Sequence, residues 1–359
     1  MKIAQVAPLY EAVPPLLYGG TERVIHYLTE ELVKEGHDVT LFASGDSVTN
    51  AALVAPVRRA LRLDPACIDP LTHHIIEMDE VMRKSDQFDI MHFHTDYLHF
   101  PFSSRCNTPC VTTLHGRLDI ADLQPLYRQF PRQPVISISN SQRGPLPKAN
   151  WMGTVYHGLP VDLHPLHQGK GEYLAFIGRV SPEKGLDRAI EIAVQTNYPL
   201  KIAAKIDRVD QHYYDKQIAH LMNHPLIKFV GEIDEVQKTS LLGNARALLF
   251  PVDWAEPFGL VMIEAMSCGT PVIAFNRGAV PEVIEDGVTG FIVETVPQAI
   301  EAFSRIHELS RTNIRRVFEQ RFTAKRMAAD YLQIYGSVID KYESGPLSHS
   351  IGGYRKSIK

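Results

Sequence analysis

A chain of 359 residues, 45% hydrophobic and 22% charged, has the length for two domains that each bury a core of their own. A formal charge of −4 supplies no broad basic field, which counts against nucleic acid as a partner, and no apolar run reaches the ~18 residues that a membrane span needs. The four cysteines, Cys67, Cys106, Cys110 and Cys268, show no paired zinc spacing and read as reduced and structural.

Residues 2–7 read as a strand rather than a secretory leader, because the apolar stretch is short and Tyr10 and Glu11 follow it, so a cytoplasmic chain is expected. A helix is predicted over residues 21–35, with Thr21 as its N-cap and Gly36 just past its end, and a strand over 37–43. The connection between first strand and helix is long and carries Pro14-Pro15 and Gly19-Gly20. Long loops at strand ends are usually functional. These glycines do not spell GxGxxG, which removes the main evidence for a nicotinamide-dependent dehydrogenase. Gly19 and Gly20 ahead of a helix N-terminus still permit close backbone approach by an anion or a sugar.

Residues 57–63, VRRALRL, mix arginine with apolar side chains and limit any membrane contact to a peripheral one. After an irregular stretch rich in Pro and Asp, short strands are expected at 89–93, 111–114, 135–138 and 154–156. Each ends in polar residues, so His94 and Asp96, then His115, then Asn140, then His157 gather along one edge of a parallel sheet. His92 and His94 alternate and share a face. With no third ligand at fixed spacing, they read as hydrogen-bonded histidines rather than metal ligands, and no metal site is expected.

Residues 162–172 read as a linker, and a second winding follows: strand 173–177, helix 186–195, then strands at 200–206, 227–230, 247–250, 272–275 and 291–293. The expected division is a first domain over 1–165, a second over 166–335, and a segment 336–359 that returns toward the first.

The densest chemistry lies in residues 253–271, DWAEPFGLVMIEAMSCGTP. Pro257 and Gly259 break the chain after a strand, and a helix is predicted from Leu260 to Ser267, closed by Gly269. Its first N–H groups, at Leu260 and Val261, point at the crevice where open α/β sheets bind ligands, and favour an anion. Glu256 sits on the loop and Glu264 among apolar residues of the helix, where a carboxylate needs a partner. A ribose diol beside a diphosphate would serve. An ion pair from Glu264 to a core arginine, with Glu256 capping the helix, fits the spacing equally.

Gly178-Arg179 with Lys184-Gly185, Glu256-Pro257-Phe258-Gly259 leading to Glu264, and Gly269-Thr270-Pro271 together are very similar to glycosyltransferase family 4. Pro281-Glu282, Thr289-Gly290-Phe291, Gly19-Gly20 and Thr113-Leu114-His115-Gly116 extend the match. The resemblance implies a GT-B fold, two Rossmann-like domains facing each other across a cleft. It implies a retaining enzyme that moves a hexosyl unit from a UDP- or GDP-sugar to a hydroxyl of a small molecule or glycan, without a cofactor or metal. Arg179 and Lys184 would clamp the diphosphate, a planar fork beside a point charge. Gly19, Gly20, Phe258, Gly259, Leu260, Val261 and Glu264 would complete the donor site, with Glu264 on the ribose. Glu256 would meet the sugar hydroxyls and His115 would face the sugar from the first domain. Tyr18, His94, Asp96 and Tyr97 are the acceptor-side candidates. His157-Gly158-Leu159-Pro160 departs from the Asn-Gly-Val turn of many relatives. An epimerase or phosphorylase on the same frame, and a binding protein without turnover, are the competing classes.

Overall fold

The computed structural model describes residues 1–17, 19–167, 169 and 171–344. Two parallel sheets carry the chain. The first has seven strands, β1 (Lys2–Val6), β2 (Asp38–Phe42), β3 (Ala52–Val54), β4 (Ile90–Phe93), β5 (Cys110–Thr113), β6 (Pro134–Ser137) and β7 (Asn150–Thr154), in the order β3-β2-β1-β4-β5-β6-β7. The second has six, β8 (Tyr173–Arg179), β9 (Leu200–Lys205), β10 (Ile227–Gly231), β11 (Ala245–Phe250), β12 (Val272–Phe275) and β13 (Gly290–Val293), in the order β10-β9-β8-β11-β12-β13. β4, β5 and β12 are buried along their whole length, because helices cover both faces of each sheet. In each sheet the strand order turns back beside the first strand of the winding, and strand ends there deliver their loops to a common crevice.

Several expectations shift. The helix after β1 runs Gly20–Lys34, and its N-cap is Gly19 rather than Thr21. Gly19 has φ 145°, and a Cβ there would stand 2.8 Å from the Pro15 side chain, so the chain enters the helix through a residue without one. β7 covers Asn150–Thr154 and ends two residues short of the expected strand, with Val155 N still donating to Ser137 O of β6 at 2.9 Å. The stretch expected to be irregular contains β3 and a helix, Pro70–Arg83. Asp69 caps that helix through Leu71 N at 3.0 Å and Pro70 opens it, a start signal present in the letters.

The largest correction concerns the return to the first domain. The chain crosses back at Phe322–Ala324, not near 335: Leu159 N donates to Phe322 O at 2.9 Å and Ala324 N to Leu159 O at 2.7 Å. Gly158 makes this crossing possible, since a Cβ there would lie 2.2 Å from Thr323 O. The helix Ala324–Ser344 then packs on the Gly20 helix and against β5 and β7, with Tyr331 and Tyr335 fully buried. The rest of the expected returning segment, 345–359, lies outside the described residues. Phe258, Phe322, His157 and Tyr156 form an aromatic cluster where the two domains meet, with the Phe258 and His157 ring centroids 4.8 Å apart.

Candidate functional site

A cleft of about 970 Å³ opens between the two domains. Two helix N-termini face each other across it. Gly259 caps the helix Leu260–Ser267 in the left-handed region, φ 84°, where a Cβ would meet Met262 and Phe250 at 2.8 and 2.9 Å. On the opposite side a Cβ on Gly20 would come within 3.3 Å of the Leu260 side chain. Neither helix has a side-chain cap, so the first-turn N–H groups, Leu260 and Val261 among them, turn their partial positive charge toward the cleft.

Glu256 hangs from the loop before the Leu260 helix, 8% exposed. Its backbone is clamped by the turn at Gly278, φ 59°, through Ala279 N to Glu256 O at 2.9 Å. Its Oε2 accepts from Lys184 Nζ at 2.5 Å and from Trp254 Nε1 at 2.9 Å, while the Lys184 ammonium lies 5.2 Å from the Trp254 ring centroid. Lys184 ends a short 3-10 turn held by Gly185, whose missing Cβ would strike Pro251 O at 2.2 Å. The cation and carboxylate singled out in sequence for different parts of a ligand are thus in contact with each other.

Arg179 closes β8 and is paired as well, with Glu183 Oε1 at 2.5 Å and Asp210 Oδ2 at 3.1 Å. Arg179 and Lys184 are therefore half-buried members of ion pairs. Glu264 is 5% exposed, and its partner is Lys238, from the helix Glu235–Gly243, rather than an arginine. Burial alone would raise the Glu264 carboxyl, but Lys238, His164 and Arg23 outweigh it and hold it below its usual range. Lys238 also pairs with Glu235 at 3.1 Å, and Glu235 with Arg23 of the Gly20 helix, so a chain of alternating charge runs from the first domain to Glu264. Glu183, Asp210, Trp254, Lys238, Glu235 and Arg23 belong to no motif in the letters; Asp234 and Gln237 form a capping box at the start of the helix that carries Glu235 and Lys238, a signal for the helix but not for its pairings.

On the first-domain side, His115 is half-buried and lines the cleft. Its Nε2 lies 2.8 Å from His94 Nδ1, and His94 Nε2 lies 2.9 Å from Gln5 Oε1. Gln5 Nε2 donates to Tyr335 OH at 3.0 Å, which meets His92 Nδ1 at 2.6 Å; His92 Nε2 meets Thr113 Oγ1 at 2.7 Å. Burial lowers all three imidazoles, His115 to about 3, so all are neutral near pH 7. With neutral rings one assignment satisfies the whole chain: His94 Nε2–H donates to Gln5, His115 Nε2–H donates to His94, and His115 Nδ1 keeps a lone pair. Among the described residues, that buried Nδ1 has no hydrogen-bond partner.

The remaining candidates divide. His94 lines the cleft, but it is 2% exposed and both its nitrogens are engaged, with His115 and with Gln5. Phe258, 2% exposed, borders the cleft and packs its ring in the aromatic cluster. Asp96, φ 51°, and Tyr97 open into the cleft, and protein crowded around the Asp96 carboxyl pushes it up to about 6. Tyr18 lies outside the described residues. Among the described residues, no cluster of three His, Cys, Asp or Glu could hold a metal ion, and no helix is long and apolar enough to cross a membrane.

Residues 18–152 match the family described as Glycosyltransferase Family 4, and residues 164–321 the family described as Glycosyl transferases group 1. The chain is similar to the phosphatidyl-myo-inositol mannosyltransferase of Mycolicibacterium smegmatis, 24% identical with 96% of this chain and 94% of that protein covered. It is 26% identical to a glycogen synthase of Mycobacterium tuberculosis, covering 81% of each. Among solved structures, AviGT4, a glycosyltransferase of avilamycin A biosynthesis, has a TM-score of 0.71 at 22% identity over 95% of this chain and 98% of that one. Anabaena HepE in complex with UDP and glucose has a TM-score of 0.73 at 19% identity, over 94% and 100%.

Proposed function

The chain belongs to glycosyltransferase family 4, with the two facing parallel-sheet domains of the GT-B fold, and we propose that it transfers a hexosyl unit with retention from a UDP- or GDP-sugar to an acceptor hydroxyl. The observation that carries this reading is the contact between Lys184 and Glu256 at the N-terminus of the Leu260 helix. As the bond from the anomeric carbon to phosphate breaks, negative charge gathers on the diphosphate. Lys184, Arg179 and the first N–H groups of the helix would stabilise that charge in the role a metal ion fills elsewhere, which makes the enzyme metal-independent on this reading. Glu256, released from part of its ion pair, would orient the sugar hydroxyls beside that phosphate. Glu264, kept ionised by Lys238, would accept hydrogen bonds from the ribose diol. His115, which lines the cleft from the first domain, would face the sugar on that side.

Retention follows from front-face transfer. The acceptor oxygen bonds to the anomeric carbon on the side the phosphate leaves, and its proton passes to the departing phosphate oxygen. Glu256 and Glu264 both come from the domain that would hold the leaving group, so neither is placed as a nucleophile from the opposite face. HepE, similar in fold, holds UDP and glucose, the ligand class assigned here.

The test is slow donor hydrolysis across a panel of UDP- and GDP-sugars, followed by proton coupling at the anomeric carbon of the transfer product. One donor is expected to be hydrolysed, and an α-linked donor to give an α-linked product. A panel with no hydrolysis and no nucleotide binding, or a β-linked product, would overturn the reading.

A further inference from the structure

We propose that Glu22 binds the acceptor, and that the first-domain wall of the cleft takes an uncharged polyhydroxyl acceptor, a sugar or cyclitol, rather than a phosphorylated one. The proposal rests on the transferase reading and adds the acceptor class to it.

Glu22 lies in the first turn of the Gly20 helix, 6% exposed, and lines the cleft. Its Oε2 sits 3.2 Å from where a Cβ on Gly19 would be, so the missing side chain at Gly19 is what makes room for the carboxyl. Among the described residues, no other residue hydrogen-bonds or ion-pairs with that carboxyl; it bonds only its own backbone N–H. Neither oxygen of this carboxyl is among the closed-off unpartnered atoms, so its hydrogen-bonding capacity is open to the cleft it lines. The charged groups that act on it, Glu11 and Arg62, are both first-domain residues, which sets it on the acceptor side. Burial pushes it up to about 7.

Its surroundings select the ligand. The first-domain cleft lining holds two arginines among the described residues, and both are committed: Arg62 to Glu11 at 2.8 Å, and Arg23 to Glu235 across the domains. His74 is neutral, accepting from Leu9 N at 3.1 Å through Nε2 and bonded to Pro70 O through Nδ1. Asp96 adds a second carboxyl to the same lining. A phosphate ester would meet two carboxyls and no uncommitted cation on this wall. A neutral polyol suits it, because hydroxyls donate to carboxylates. Tyr97, 42% exposed on the same lining, is the aromatic side chain available to the C–H surface of a sugar ring, whereas the Tyr10 ring carries Arg62 at 5.8 Å and His74 at 4.8 Å. During transfer Glu22 accepts a hydrogen bond from the acceptor and takes no proton, since that proton leaves with the phosphate.

The experiment uses whichever donor the wild type hydrolyses. Transfer is measured to glucose, sucrose and myo-inositol, and to glucose 6-phosphate and inositol 1-phosphate. Neutral acceptors are expected to exceed their phosphate esters by about ten-fold or more in kcat/KM, and Glu22→Gln to raise the acceptor KM about ten-fold with a smaller change in kcat. The wild-type acceptor KM should change through pH 7 as Glu22 titrates beside Glu11, Arg62, His74, Arg23 and Asp96, and that change should be lost in Glu22→Gln. A packing role alone would not move the pH profile. Preference for the phosphate esters, no transfer to any neutral polyol, or an unaltered KM and pH profile in Glu22→Gln overturns this inference alone. Absence of hydrolysis of every donor overturns the transferase reading and this inference with it.

Discussion

His115 donates from Nε2 to His94 Nδ1 over 2.8 Å, and that contact fixes Nδ1 as the nitrogen on which His115 keeps its lone pair. The orientation is set from the far end of the chain, because His94 leans on Gln5 and Gln5 on Tyr335 of the returning helix. Tyr335→Phe removes the hydroxyl that accepts from Gln5 and donates to His92. The loss of one buried hydrogen bond, about 1 kcal/mol, should lower kcat/KM by roughly three- to ten-fold without touching either substrate. A folded Tyr335→Phe with wild-type kcat/KM would detach the returning helix from the chemistry.

The same buried histidines set a pH dependence of stability. Burial lowers His92, His94, His99, His115 and His157, with His99 and His115 brought to about 3. Unfolded histidine titrates near ~6.5, so below that pH the unfolded chain binds protons the folded chain refuses, and stability falls on acidification. Glu22 and Asp96, raised to about 7 and about 6, and Glu77, raised well above its usual range, act in the opposite sense: their contribution is lost as pH rises through those values. The histidines outnumber the carboxyls. The melting temperature should therefore drop by several degrees between pH 7 and pH 5, as read by calorimetry, and a rise over that interval would contradict the assignment.

Lys184→Ala tests the centre of the cleft. Removing the ammonium should cost turnover about 10²- to 10³-fold at saturating donor, the magnitude seen when one preorganised charge-stabilising donor is lost. It also leaves Glu256, 8% exposed, with Trp254 as its remaining side-chain partner, so the variant should lose about 1–2 kcal/mol of stability. Near-wild-type turnover in a folded Lys184→Ala protein would remove the phosphate role.

Where glycine and proline punctuate the chain, the sequence alone locates the elements: the helices Leu186–Gln195 and Leu260–Ser267 and strand β12 stand where Gly185, Gly259, Gly269 and Pro271 put them. The pairings were not legible. Lys184 meets Glu256 across 72 positions because β8 and β11 lie side by side in the second sheet, and Arg23 meets Glu235 across 212 because one domain packs on the other; neither neighbourhood is written in the letters. The Pro70 helix was missed for a different reason: its Asp-Pro start was present, but the surrounding Pro and Asp residues read as loop. Glu22 sits one residue beyond Thr21 in a segment read for its glycines, and burial, which letters do not carry, is what distinguishes it.

Outside the cleft lining, one carboxylate ties the domains together. Glu282, in the short helix Val280–Val283, accepts from Asn140 N and Ser141 N at 2.7 Å each, from Asn140 Nδ2 at 3.0 Å and from Tyr156 OH at 2.9 Å. Every one of those donors precedes the crossing at Leu159, so opening about that crossing must break all four bonds, together with the Arg23–Glu235 pair. Asn140 and Ser141 are exposed and water would replace part of the loss, so the net effect is that of about one strong hydrogen bond rather than four. Glu282→Ala should shift the closed-to-open equilibrium about ten-fold, close to 1.4 kcal/mol, and because only the closed form joins His115 to the donor residues, the apparent donor KM should rise by a similar factor. Small-angle scattering should report a larger radius of gyration for the ligand-free variant and a return toward the wild-type value with saturating nucleoside diphosphate. If radius and donor KM both match the wild type in a folded Glu282→Ala protein, these four bonds are not what holds the cleft closed.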